Sequence, residues 1–254
     1  MTSRSDLTPV ALHWQGMRVP WISPWSGEAR ADHQIVRRRG GPGIGYVDEG
    51  LGDRADDVLW VRMPSAPGLG TPRFAGVHAL RQRRAMDRML CQVCGGATIG
   101  ERADGRTLWL VHSTTGRPIA EGERTAAPPV HEACAREAVR DCPHLLRGWT
   151  AALVGGAPSW GVAGILYDRA TLLPLPGPES GGRGLHQVPY EDDGQLPWVL
   201  AARDIVQLYD VEPVELGAMP LSPPLPGFAD GSGSGTSAAA PAPRRGRPLT
   251  SRVR

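Results

Sequence analysis

The sequence predicts an α+β fold organised around one metal site, and three observations carry that prediction. Cys91-x-x-Cys94 and His131-x-x-Cys134 are two ligand pairs with the same two-residue gap. Short strand-like segments lie between and after them. Helically spaced stretches sit just before the first pair and open at the second.

Composition sets the limits. The chain has 254 residues and is 41% hydrophobic, with 2 Phe and 8 Trp. A core is therefore possible but lean, and the tryptophans carry much of its bulk. The 33 Gly and 25 Pro imply many loops and short elements. All 28 basic residues are arginine, the bias of GC-rich coding DNA. With no lysine there is no Walker-A lysine and no Schiff-base lysine. The run Gly40-Gly41-Pro42-Gly43-Ile44-Gly45 leads into a strand-like Tyr46-Val47, so it reads as a turn and not as a phosphate loop. No nucleotide cofactor is expected.

A net charge of +2 argues against a generic polyanion binder. The residues up to Trp25 hold no apolar run of export type, being broken by His13, Gln15, Arg18, Pro20 and Pro24. No stretch approaches the ~20 apolar residues of a membrane span. A cytoplasmic location is the expectation, and in that reducing compartment paired cysteines favour metal over disulfide.

Four regions are expected along the chain. Residues 1–30 are irregular, with Trp14, Trp21 and Trp25 among prolines, either packed on the domain or forming a patch for another protein. Residues 31–146 form the metal-centred domain. In it, Gly45–Val47, Val58–Met63 and Thr107–His112 read as strands and Val77–Leu90 as a helix. Asp48, Glu49, Asp53, Asp56 and Asp57 make a solvated turn, without the ligand spacing of a calcium loop. Glu132–Asp141 is helical and stopped by Pro143. In residues 147–218, Ala151–Val154 and Val162–Tyr167 are expected to pair across Gly155-Gly156-Ala157-Pro158. His186–Tyr190 adds a strand, and Leu196–Tyr209 a helix with Pro197 in its first turn. Residues 219–254, rich in Pro, Gly, Ser and Ala and then Arg, read as a disordered tail.

The metal set follows from reach. Zn²⁺–sulfur bonds of about 2.3 Å hold ligand atoms roughly 4 Å apart in a tetrahedral site. A C-x-x-C turn relaxed by Gly95-Gly96 meets this, with backbone N–H groups turned to the thiolates. His131 and Cys134, three apart at a helix start, share one face, and the helix dipole favours bound thiolate there. Cys142 is the rival ligand, replacing His131 and using every cysteine. If the helix is continuous, Cys142 stands about 12 Å along its axis from Cys134.

The order C-x-x-C-G, hairpin, then H-x-x-C opening a helix resembles a treble-clef zinc finger over about residues 89–146. More widely, Cys91-Gln92-Val93-Cys94-Gly95-Gly96, Cys142-Pro143-His144-Leu145 and Arg81-Gln82-Arg83-Arg84-Ala85-Met86 are similar to uncharacterised zinc-motif proteins of GC-rich bacteria and their phages. In those proteins the second pair is often C-x-x-C, so His131 is a departure. The resemblance implies structural Zn²⁺ and no established activity.

Four soft ligands close a zinc site, whereas a catalytic zinc keeps a position open. Treble clefs also occur in HNH-type nucleases. Their catalytic histidine has one counterpart here, His112, but the adjacent His or Asp is missing and the chain has no Asn. A zinc deaminase would show H-x-E with P-C-x-x-C, which is absent. Two arginine clusters suit DNA. One is the helix face bearing Arg81, Arg84 and Arg88. The other is the tail Pro243-Arg244-Arg245-Gly246-Arg247-Pro248, whose Arg245-Gly246-Arg247-Pro248 is the core of an AT-hook. The expectation is a non-enzymatic, zinc-stabilised binding module touching DNA, with a degenerate HNH-like nuclease or a protein-interaction adaptor as alternatives.

Overall fold

The structure is a computed structural model that describes residues 10–29, 33–178 and 184–217. The expected tail, with Arg245 and Arg247, lies outside them. The described residues all fall in one unit. No helix among the described residues is long and apolar enough to cross a membrane.

In chain order the strands and helices are β1 (Leu12–Trp14), β2 (Met17–Val19), β3 (Ile35–Arg37), β4 (Ile44–Tyr46), β5 (Arg54–Ala55) and β6 (Val58–Trp60), then α1 (Ala79–Asp87), β7 (Thr107–His112), β8 (Arg124–Thr125) and α2 (Glu132–Asp141). The second half continues through β9 (Trp149–Gly156), β10 (Ser159–Leu166), β11 (His186–Pro189), β12 (Val199–Gln207) and β13 (Tyr209–Val214). The class is α+β, as expected. The N-terminal segment is more ordered than expected. β1 and β2 form a hairpin through Gln15 and Gly16, both in the left-handed region. Trp25 is 4% exposed and meets Trp14 edge-on at 6.3 Å. Trp14 and Trp21 are half-buried, so these rings pack on the domain.

The largest correction concerns Leu196–Tyr209. The helix is replaced by a short 3-10 turn at Leu196–Trp198 followed by β12. β12 is the central strand of a six-stranded sheet, ordered β11-β10-β12-β6-β5, with β8 joining β12 farther along. It is buried at Val199–Ala201 and again at Asp204–Val206. A strand covered on both faces reads as a continuous apolar run, which periodicity does not separate from a buried helix. The β-branched Val199, Ile205 and Val206 suit the pleat.

The expected β9–β10 pair is also absent. β9 lies in a three-stranded sheet, β13-β9-β7, while β10 pairs with β11 and β12. Gly155–Pro158 therefore carries the chain between sheets, and Leu208 does the same between β12 and β13. Gly155 has Asp210 side-chain atoms where a Cβ would sit, the nearest at 2.3 Å. A larger residue would have to displace the Asp210 side chain.

Alternation in the smaller sheet sets up the site. Leu108 and Leu110 of β7 with Ala151 and Leu153 of β9 fill one face, together with Val130, Cys134 and Ala135. Trp109, Ala152 and Val154 point the other way, onto Met86, Val206 and Leu208. Period-two side-chain direction thus divides one sheet between the α2 side and the α1 side. The third cluster lies around β12, β6 and β10.

Candidate metal centre

The backbone builds the first ligand pair as a knuckle. Leu90 and Ala97 bridge antiparallel, and Cys91 N–H donates to Gly96 O at 2.7 Å. Gly95 closes the turn at φ +74°, where a side chain would be strained, and its N–H donates to Cys91 O at 2.8 Å. The Gly96 N–H then reaches Cys94 Sγ at 3.4 Å.

The second pair is held against this turn by the segment preceding α2. Gln92 N–H donates to Pro129 O at 2.9 Å, and Val130 N–H donates to Leu108 O at 2.9 Å. His131 is thereby pinned between knuckle and sheet as the N-cap of α2. Its own N–H points at Cys91 Sγ, 3.5 Å away. One helical turn on, Cys134 faces the same point.

The four ligand atoms of Cys91, Cys94, His131 and Cys134 lie within 4.8 Å of one another. His131 Nδ1 is 3.2 Å from Cys94 Sγ, and Nε2 is 2.8 Å from Ala97 O. A proton on Nε2 donated to that carbonyl leaves Nδ1 free to bind a metal. Tetrahedral bonds of about 2.0–2.3 Å would require the ligand atoms to close by about an ångström or less. The group can hold a metal ion, and three sulfurs with one imidazole nitrogen are a donor set consistent with zinc.

Electrostatics support the same reading. Hydrogen bonds to Cys91 and then Cys94 push His131 up to about 11. Cys134 is pushed far above the usual thiol range by Cys91 and Cys94, while hydrogen bonds from Cys134 and Cys91 hold Cys94 far below it. The cluster thus retains protons that a cation would displace. Three thiolates and an imidazole around a divalent ion leave a charge of −1.

Arg18, which the sequence reading did not single out, answers that charge. Its Nη1 stands 4.0 Å from Cys134 Sγ and donates to Glu137 Oε2 at 3.0 Å. Glu101 was likewise missed. Its Oε1 accepts the Glu132 N–H at 3.1 Å in the first turn of α2, and burial pushes its carboxyl up. Neither residue carries a local sequence signal, because both reach the site only through folding.

The remaining candidates fall elsewhere. Cys142 caps the far end of α2, outside the four-ligand group, in a small crevice with Met17, Phe74 and Val93. The hairpin expected between the two ligand pairs does not form, since β7 pairs with β9 and β8 with β12. His112 ends β7 with its ring stacked on His144 at 3.9 Å, and its Nε2 is buried without a hydrogen-bond partner. Among the described residues, His112 belongs to no group able to hold a metal. Arg84 and Arg88 are exposed on α1, whereas Arg81 is buried and bound to Glu28, which removes it from any nucleic-acid surface. Leu80, also on α1, faces outward.

No family model matches this chain, and neither a curated protein nor a solved structure matches it.

Proposed function

We propose that this protein is a non-enzymatic binding module whose fold is fastened by one structural Zn²⁺ on Cys91, Cys94, His131 and Cys134. The observation that carries the reading is the closed donor set. All four positions of a tetrahedral ion are filled by side chains, so no site remains for water or substrate. The ligands also belong to the core. Cys91 and Cys134 pack with Leu108, Leu110 and Leu153. Binding free energy there would become folding free energy. The knuckle followed by a ligand-bearing helix start is the treble-clef-like part of the unit, built without the intervening hairpin.

DNA is the proposed partner, approached through Arg84 and Arg88 and through Arg245 and Arg247 of the tail. Guanidinium groups track phosphate and enter narrow A·T minor grooves. Two measurements test the reading. Elemental analysis of purified protein should give one zinc per chain, and its absence would end the structural-zinc claim. Anisotropy titration of an A·T-rich duplex should show affinity that falls steeply with salt and weakens on removal of residues 243–254. Salt-independent or tail-independent binding would count against the DNA part alone.

A further inference from the structure

A cavity of about 510 Å³ opens beside α1, with Asp53, Trp60, Arg62, Met63, Leu80 and Arg83 among its lining residues. Its volume is in the range of small-molecule sites. Its two arginines differ in one decisive respect. Arg62 is already engaged by two carboxylates, donating to Asp53 Oδ2 at 2.5 Å and Asp48 Oδ1 at 2.8 Å while lying over the Tyr46 ring. Arg83 lies over the Trp60 ring, 4.6 Å from its centroid, and makes no ion pair or hydrogen bond among the described residues. Burial disfavours its charged form, and Tyr190, Asp204, Asp56 and Asp87 favour it without an ion pair.

A half-buried guanidinium without an anion is unusual, because desolvation is normally offset by a partner. The Trp60 ring beneath it is 4% exposed, so the stack is held within the fold. Stacking on an aromatic face leaves the guanidinium edge available for two parallel bonds to an oxyanion. Trp60, Met63 and the 48%-exposed Leu80 provide the apolar wall beside it. Charge selects among ligand classes. The carboxylates of this wall are already held by Arg62, and a neutral molecule would leave Arg83 unpaired.

We propose that this cleft binds a small organic anion, with a carboxylate or phosphate head on Arg83 and a flat apolar body against Trp60, Met63 and Leu80. The site is independent of the zinc reading.

Calorimetric titration of the full-length, metal-loaded chain tests it with four probes: benzoate, phenyl phosphate, benzyl alcohol and inorganic phosphate. Saturable one-to-one binding of benzoate or phenyl phosphate is expected, with the neutral alcohol and bare phosphate much weaker. The two anions separate a carboxylate site from a phosphate site. Arg83→Gln should weaken the bound anion by about tenfold to a hundredfold, the loss of one charge-assisted contact. Arg83→Lys should fall between the native chain and Arg83→Gln, keeping the charge but losing the stack and the second parallel bond. Leu80→Asp changes an exposed rim position and should weaken the anion by repulsion whether or not Arg83→Gln folds. Three results would overturn the proposal. They are no binding of either aromatic anion to the folded chain, affinity unchanged in Leu80→Asp, or capture of a duplex oligonucleotide with neither small anion bound.

Discussion

Arg81 reaches from α1 to Glu28 and grips it with both ends of its guanidinium, Nη1 to Oε1 at 2.6 Å and Nη2 to Oε2 at 2.7 Å. Glu28 is 0% exposed and also accepts the N–H groups of Trp25 and Ala66, each at 2.8 Å. Arg81 further donates to Ser23 O at 2.9 Å. One buried ion pair thus fastens the N-terminal segment and the 64–66 loop onto the first helix. Removing one partner leaves an uncompensated buried charge. Arg81→Met is expected to lower unfolding free energy by about 3–5 kcal/mol, measured by urea denaturation. The bonds from Arg81 and the two backbone groups hold the Glu28 carboxyl below its usual value despite burial. Its contribution is therefore complete above the unfolded-state value and lost as pH falls through the folded one.

Gln82, the next residue, behaves as a missing strand. Its Oε1 accepts the Asp204 N–H at 2.9 Å, and its Nε2 donates to Asp204 O at 2.9 Å and Ala126 O at 2.8 Å. These bonds fill the gap on β12 between its partners β6 and β8. Gln82→Ala would strand two buried backbone groups of Asp204 and the half-buried Ala126 O, and should cost about 2–4 kcal/mol in the same assay, given about 1–3 kcal/mol per unmet group and partial relaxation.

Asp204 predicts a pH dependence of the opposite sign to Glu28. Burial pushes its carboxyl from 3.8 up to about 6, although Tyr190 Oη–H at 3.0 Å and Ile205 N–H at 3.1 Å favour the charged form. A raised folded-state value gives stability present below the unfolded-state value and lost as pH rises through about 6. Asp204→Asn should flatten the decline in urea midpoint between about pH 4 and 6, a span worth about 2–3 kcal/mol. An unchanged slope would show that Asp204 is not the group responsible.

The metal set is separable by substitution. Cys91→Ser, His131→Ala and Cys134→Ser are each expected to abolish bound zinc and cooperative unfolding, read by elemental analysis and thermal melts. Cys142→Ser should keep the metal and change stability by under about 1 kcal/mol. Acid should release the ion, because protons compete for the thiolates.

Much of the site was legible in the sequence, because its two ligand pairs are local. A two-residue gap places both sulfurs of a turn, or both ligands of a helix start, on one point whatever surrounds them. The span of α2 was readable for a similar reason, with Pro-Pro before it and Pro143 after it. β12 was misread because burial on both faces erases the period that marks a strand. Arg81 was misread because its place on the helix does not reveal that Glu28 lies opposite.

Residue spacing and composition alone determined the α+β class, the four clustered ligands and the absence of lysine chemistry. Tertiary structure alone decided that β9 and β10 part into different sheets, that Arg18 and Glu101 flank the ligands, and that Arg83 faces a cleft while Arg81 does not. The division has one cause. Spacing along a chain governs contacts within a turn or helix, whereas pairings across more than a hundred residues depend on which faces the whole fold brings together.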